Sequence, residues 1–272
     1  MKGGRVLNKA LFRAMFKRQG RKTCHYAFGL SLYNLLLIGV FPSLSQSKGM
    51  AKLTENLPKL ARVFRLTSDS ALNRFESFVA SQCFGQVWVL VMGIYTISTA
   101  NELIAQYVAE GGMTYLLTSP AGRSEIFLTQ TAVLISGLIL MVTLTELGIW
   151  GEAKLFSLSM DKKAYTSLGI LALALFLNVG SYSLLFSTLF NNEENVVLSA
   201  ACITFIFYAL DTFSSLDDRF LWVRRLTIFG WFRPQEVLEG ETSLLPTSLL
   251  LALSTMFMGL AGYIFERKDF CV

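Results

Sequence analysis

Hydrophobic residues in this chain fall into long blocks from which charge is excluded. Uncharged stretches cover residues 23–47, 77–101, 126–145, 164–192, 195–210 and 242–265, with lengths of 25, 25, 20, 29, 16 and 24. A helix that crosses the hydrocarbon of a bilayer needs about 20 mostly apolar residues, and lipid offers no partner to an unpaired backbone group, so helices are the elements expected. Five stretches qualify as they stand. The fifth in order, 195–210, reaches spanning length by taking in Asp211, or by starting at the Asn-Asn-Glu-Glu-Asn turn of 191–195 and continuing to Phe213. The pattern predicts an all-α membrane protein with six transmembrane helices near 24–44, 80–104, 124–150, 165–190, 195–213 and 246–265. These form a single transmembrane domain over 1–272 with no soluble domain.

Residues 1–22 follow a different rhythm. Arg5, Lys9, Arg13 and Lys17 recur every fourth residue, while Leu7, Leu11 and Met15 recur on the opposite side. That spacing predicts an amphipathic helix lying in the membrane interface, leucines down and cations among anionic headgroups. These residues carry +8 of a net +5, leaving −3 for the rest, so the basic excess is N-terminal and points to a membrane surface, not to nucleic acid. The apolar run that follows is long for a signal core and ends without an A-x-A site, so it reads as a retained first span. Eight basic residues before it predict both termini in the cytoplasm. Over the whole chain the inner segments hold 11 basic residues and the outer ones 13, so orientation rests on that first cluster. Trp150, Tyr165, Trp222 and Trp231 fall near the expected outer interface, and the other tryptophans and phenylalanines read as lipid-facing bulk.

Two outer segments are too apolar for simple loops. Helical spacing after Pro58 in 45–76 predicts a short amphipathic helix, and Leu221, Ile228, Phe229, Trp231 and Phe232 in 214–241 predict interfacial or re-entrant pieces. Composition, at 53% hydrophobic and 16% charged, agrees with a chain that faces lipid over much of its surface. A single His, at position 25, leaves no histidine-based catalytic or metal site, and Cys24, Cys83, Cys202 and Cys271 lack any paired spacing. No phosphate-binding loop, dinucleotide fingerprint or H-E-x-x-H is present. The chain therefore reads as a non-enzyme with no catalytic residues, metal or cofactor of its own.

The connection at 110–123 reads EGGMTYLLTSPAGR. It resembles the permeases (transmembrane subunits) of ABC transporters of the type-2 export class. Their second span is followed by an acid, a Gly and a Thr, then Leu-Leu, a small polar residue, Pro, and an Arg opening the third span. Here these are Glu110, Gly112, Thr114, Leu116 with Leu117, Ser119, Pro120 and Arg123. The resemblance continues through Leu57-Pro58 with Leu60 and Phe64, the turn at 191–195, and the ending from Phe265 to Phe270. It implies that 110–123 is a cytoplasmic coupling loop docking on a separate ABC ATP-binding subunit, with Tyr115, Leu116 and Leu117 as its apolar contact. It also implies a dimer with a second permease, identical or related, and two ATPase copies that bind ATP and Mg. The expected location is a bacterial plasma membrane, and the expected action is efflux of an amphipathic or hydrophobic cargo such as a peptide, drug or lipid-linked molecule.

Polar residues inside the spans are costly and mark pathways, gates or packing. Glu102 and Glu146 are pathway or gate candidates. Asn178, beside Gly180, Ser181 and Ser183, is a candidate for helix packing first and for lining second, and Asp211 reads as a side chain reaching headgroups. The residues alone leave other functions open: polysaccharide export, a transporter or channel that needs no ATPase, a membrane enzyme, or an immunity protein.

Overall fold

The structure, a computed structural model, describes residues 7–45, 79–118, 121–156, 161–190, 192–214, 220–238 and 244–268. Its elements are α1 (Lys9–Ser45), a π-helical turn (Val79–Cys83), α2 (Gln86–Leu103), α3 (Ala105–Ala109), α4 (Gly112–Leu117), α5 (Arg123–Leu155), α6 (Lys162–Leu189), α7 (Glu193–Ser214), α8 (Leu221–Arg224), a 3-10 turn (Phe229–Trp231), α9 (Pro234–Leu238) and α10 (Leu244–Arg267). There is no strand among the described residues. Five helical units are long and apolar enough to cross a membrane: α2 continued by α3, α5, α6, α7 and α10. The chain is thus a helical, multi-pass membrane protein in character. The expected helix after Pro58 lies outside the described residues.

Helix α6 is the axis of the bundle, with 83% of its apolar stretch buried against 17% for α7 and 22% for α10. Small residues set how closely its neighbours approach. A Cβ at Gly180 would lie 2.9 Å from Leu134 and 3.3 Å from Thr96, so this glycine is where α6 meets α5 and α2. Helix α10 packs along α6, and α1 along α5. Side chains start the helices that follow turns: the Asp161 carboxylate accepts from the Lys163 N–H at 2.9 Å, and Asn192 Oδ1 accepts from the Glu194 N–H at 2.9 Å. Residues 192–194 thereby acquire a local reason, an N-cap followed by Glu193 and Glu194 in the first turn of α7, where negative charge suits the helix dipole.

Three expectations change. The in-plane helix over 1–22 and the span over 24–44 are not separate elements, because α1 runs unbroken from Lys9 to Ser45. Asn8 caps it, its Oδ1 accepting from the N–H groups of Ala10 and Leu11, while its own N–H donates to Thr129 Oγ1 at 3.1 Å. Met15 is buried, and Leu11 and Phe12 pack on the core, so this first half rests on the bundle. Second, the remaining aromatic residues are not all lipid-facing: Trp88, Phe84, Phe176, Phe232 and Phe265 are fully buried. Trp88 is the hub, meeting Phe84 at 5.0 Å, Phe176 at 5.4 Å and Phe232 at 6.4 Å between ring centroids. Third, Asp211 does not reach out to headgroups. It is buried and pairs with Arg224 Nε at 3.1 Å, tying the end of α7 to α8. That tie, with Phe229 and Phe232 buried, makes 220–238 a folded cap inserted into one end of the bundle.

Candidate functional site

The connection between α2 and α5 is built from two short helices. Ile104, at φ −125° and ψ −66°, interrupts α2 before α3 begins, and Glu110 closes α3, its N–H donating to the Gln106 carbonyl. Gly111 then takes φ 71°, a left-handed conformation that a side chain disfavours, and α4 starts in a new direction. At Gly112 a Cβ would lie 3.0 Å from the Tyr107 ring, so α4 folds back tightly on α3 at this position. The Arg18 guanidinium sits 5.2 Å from the centre of the Tyr107 ring, joining α1 to the same hairpin.

Within α4 the helical turn divides the side chains. Met113 is buried and Leu116 packs partly buried against the core, while Tyr115 is 82% exposed. Thr114 is half-buried. The Thr118 hydroxyl donates to the Thr114 carbonyl at 3.0 Å and to the Tyr115 carbonyl at 3.2 Å, closing the C-terminal end. Of the three residues expected to make the docking contact, Tyr115 presents its ring outward and Leu116 anchors the helix. The Leu117 side chain, Ser119 and Pro120 lie outside the described residues. Glu110 is exposed and accepts from Gln106 Nε2 at 2.8 Å.

Arg123 belongs to the same end of the bundle but faces another way. Its Nη1 donates to the carbonyls of Glu266 (3.1 Å) and Lys268 (3.0 Å), and the neighbouring Ser124 hydroxyl donates to the Glu266 carboxylate at 2.5 Å. Lys268 repeats the device, donating to the carbonyls of Thr188 (2.8 Å), Leu189 (3.4 Å) and Phe190 (3.1 Å) at the end of α6. Burial holds the Lys268 ammonium below its ordinary pKa. Cations thus satisfy the free carbonyls of two helix C-termini, where the helix dipole also favours them. No sequence motif singled out Lys268 for this. Its signal in the sequence was its place in the ending from Phe265 to Phe270, where Glu266 separates the basic pair from the final apolar run.

No family model matches this chain. No curated protein matches it either.

The other three candidates lie on three different seams. Glu102 joins α2 to α1: its carboxylate pairs with Lys22 Nζ at 2.7 Å and accepts from Gln19 Nε2 at 3.0 Å and the Ser98 hydroxyl at 3.2 Å. Glu146 packs between α5 and α6, where a Cβ on Gly169 would collide with its carboxylate, and it borders a pocket of about 290 Å³ with Trp150, Lys162 and Tyr165. Asn178 is buried between α6 and α10, its Nδ2 donating to the Leu250 carbonyl at 3.4 Å. The structure does not bring these three together.

A feature that the sequence did not reveal runs between α2 and α7. Near the α3 end, Ser98, Asn101, Glu102, Gln106, Glu193 and Glu194 border an open cleft of about 720 Å³. Ala201 also borders a second, almost wholly apolar pocket of about 190 Å³ that continues along both helices past Ile94, Phe205 and Tyr208 to Phe229. The two pockets share Ala201, the first bordered by acidic and amide groups and the second by aromatic and aliphatic ones.

Proposed function

We propose that the chain is the permease subunit of an ATP-driven exporter of the ABC type-2 class. Residues 110–123 are its coupling element toward a separate ATP-binding subunit, present with a second permease in the working complex. The second half of α1 adds a sixth span, and both termini face the cytoplasm. The observation that carries the reading is α4: a short helix anchored by Met113 and Leu116, turned by Gly111, with one aromatic ring left outward at its face. Interfaces concentrate binding energy in such anchored aromatic residues. The two pockets between α2 and α7, one with acidic groups and one apolar, support an amphipathic or hydrophobic cargo over a small ion, which apolar walls solvate poorly.

The test is Tyr115→Asp in the chain co-expressed with a candidate ABC ATP-binding subunit that associates with the parent chain. Because Tyr115 is exposed, membrane insertion and thermal unfolding should stay as in the parent, while association weakens by about 30-fold, the size of a 2 kcal/mol contact. Efflux of an amphipathic peptide should fall with it. Parental association and efflux in the variant would reject α4 as the coupling element.

A further inference from the structure

Along the seam of α1 and α5 two polar side chains are buried without the partners their chemistry requires. Asn34 is wholly buried, and neither its Oδ1 nor its Nδ2 has a hydrogen-bond partner. Glu152 is 9% exposed and its Oε2 also lacks one. The register of the seam sets them level. A Cβ on Gly148 would lie 3.3 Å from Ser31 Oγ, one on Gly39 would lie 3.6 Å from the Phe156 ring, and between these contacts Asn34 and Glu152 occupy matching heights. The Glu152 carboxylate leans back over Gly148 toward Ser31, its Oε1 4.0 Å from that same Cβ position. Neither polar atom of the Asn34 side chain bonds Glu152 or any other group. Buried polar groups in native proteins are nearly always satisfied, and a set left open points to water or an ion.

The third wall of the seam is the π-helical turn at Val79–Cys83, which contacts α1. The Tyr33 hydroxyl donates to the Gln82 carbonyl at 3.4 Å, fixing this turn against α1. Turns of this kind recur at functional positions because they loosen the regular ladder of carbonyls. The Cys83 thiol is buried here. The unpartnered acceptors of the seam are the oxygens of Glu152 and Asn34, with the Ser31 hydroxyl beside Gly148, so oxygen sets the chemistry. They are hard donors with a single negative charge. Calcium or magnesium sites gather several oxygens and usually more than one carboxylate, whereas one carboxylate is balanced by one positive charge.

We propose that Glu152 and Asn34, with Ser31, bind a sodium ion in the seam between α1 and α5. The ion neutralises the carboxylate and is coordinated by Asn34 Oδ1, and a water retained on it accepts from Asn34 Nδ2. The site lies at the end of the bundle opposite α4, and it does not depend on the export reading.

The experiment is thermal unfolding of the purified full chain in detergent, in sodium chloride against choline chloride at equal ionic strength. Sodium should raise the midpoint by about 3 to 5 °C and saturate, as a single-site ligand present at some ten times its dissociation constant would. Glu152→Gln, which keeps the shape and removes the charge, should abolish the sodium response. Asn34→Ala should abolish it with the carboxylate intact, and binding of radioactive ²²Na⁺ to the immobilised chain should vanish in both. Equal midpoints in sodium and choline, with no ²²Na⁺ retained by the parent chain, would overturn the site. So would a midpoint that follows pH alone, because Glu152 would then hold a proton.

Discussion

A carboxylate and an ammonium that meet in a half-buried seam fix the height of two helices, because neither helix can slide without parting the pair. Lys22 and Glu102 do this for α1 and α2 at 2.7 Å, with side-chain exposures of 17% and 28%. Lys22 also donates to the Ser98 hydroxyl at 2.5 Å. Either Lys22→Met or Glu102→Gln should lower stability by on the order of 2 kcal/mol, the scale of hydrogen bonds to charged groups. The swapped pair, Lys22→Glu with Glu102→Lys, should recover part of the loss in thermal unfolding, and strictly additive losses would show that the two side chains act independently. Glu102 was legible as a polar residue near the end of a span. Its partner was not, because Lys22 closes a run of eight basic residues and nothing in the run distinguishes the one that turns inward. Asp211 escaped for a related reason: its partner Arg224 lies beyond the end of α7, and no helical spacing links them.

At the scale of elements, the hinge between α3 and α4 rests on Gly111 at φ 71°. Gly111→Ala should cost about 1 kcal/mol through the left-handed backbone, whereas Gly111→Asn, which tolerates that region, should cost less. Equal unfolding midpoints for the two variants would mean that the turn relaxes out of the left-handed region. An element over 110–123 was expected only through the resemblance, whereas the charge-free blocks made α2, α5, α6, α7 and α10 readable, since exclusion of charge over a bilayer's thickness is a strong constraint. The continuity of α1 was not readable. Amphipathic and uniformly apolar patterns meet near residue 22, and a change of pattern resembles a change of direction when no breaker marks the difference. The π-helical turn leaves no trace in hydrophobic spacing at all.

At the scale of the molecule, contacts of Arg123 and Ser124 with Glu266 and Lys268 set the start of α5 and the end of α10 at one end, and Lys162 stands at the other. Single cysteines at Tyr115 and Glu266 should therefore react with an impermeant reagent from one side of the membrane only, and a cysteine at Lys162 from the opposite side only. On the proposed orientation the first pair is cytoplasmic, and labelling of position 115 from outside would reverse it. Which helix lies at the centre could not be read from hydropathy, because lipid is as apolar as a protein core and α6, α7 and α10 look alike in that respect. Burial separates them, and it has a temporal consequence. Synthesis delivers α6 before α10, with α7 and the folded cap made in between, yet α10 is the helix that covers Asn178. Until it arrives, a nascent chain holds a polar amide against lipid with no Leu250 carbonyl to meet it. A chain arrested before α10 is therefore a natural substrate for membrane quality control, and completion of the bundle waits on that late helix.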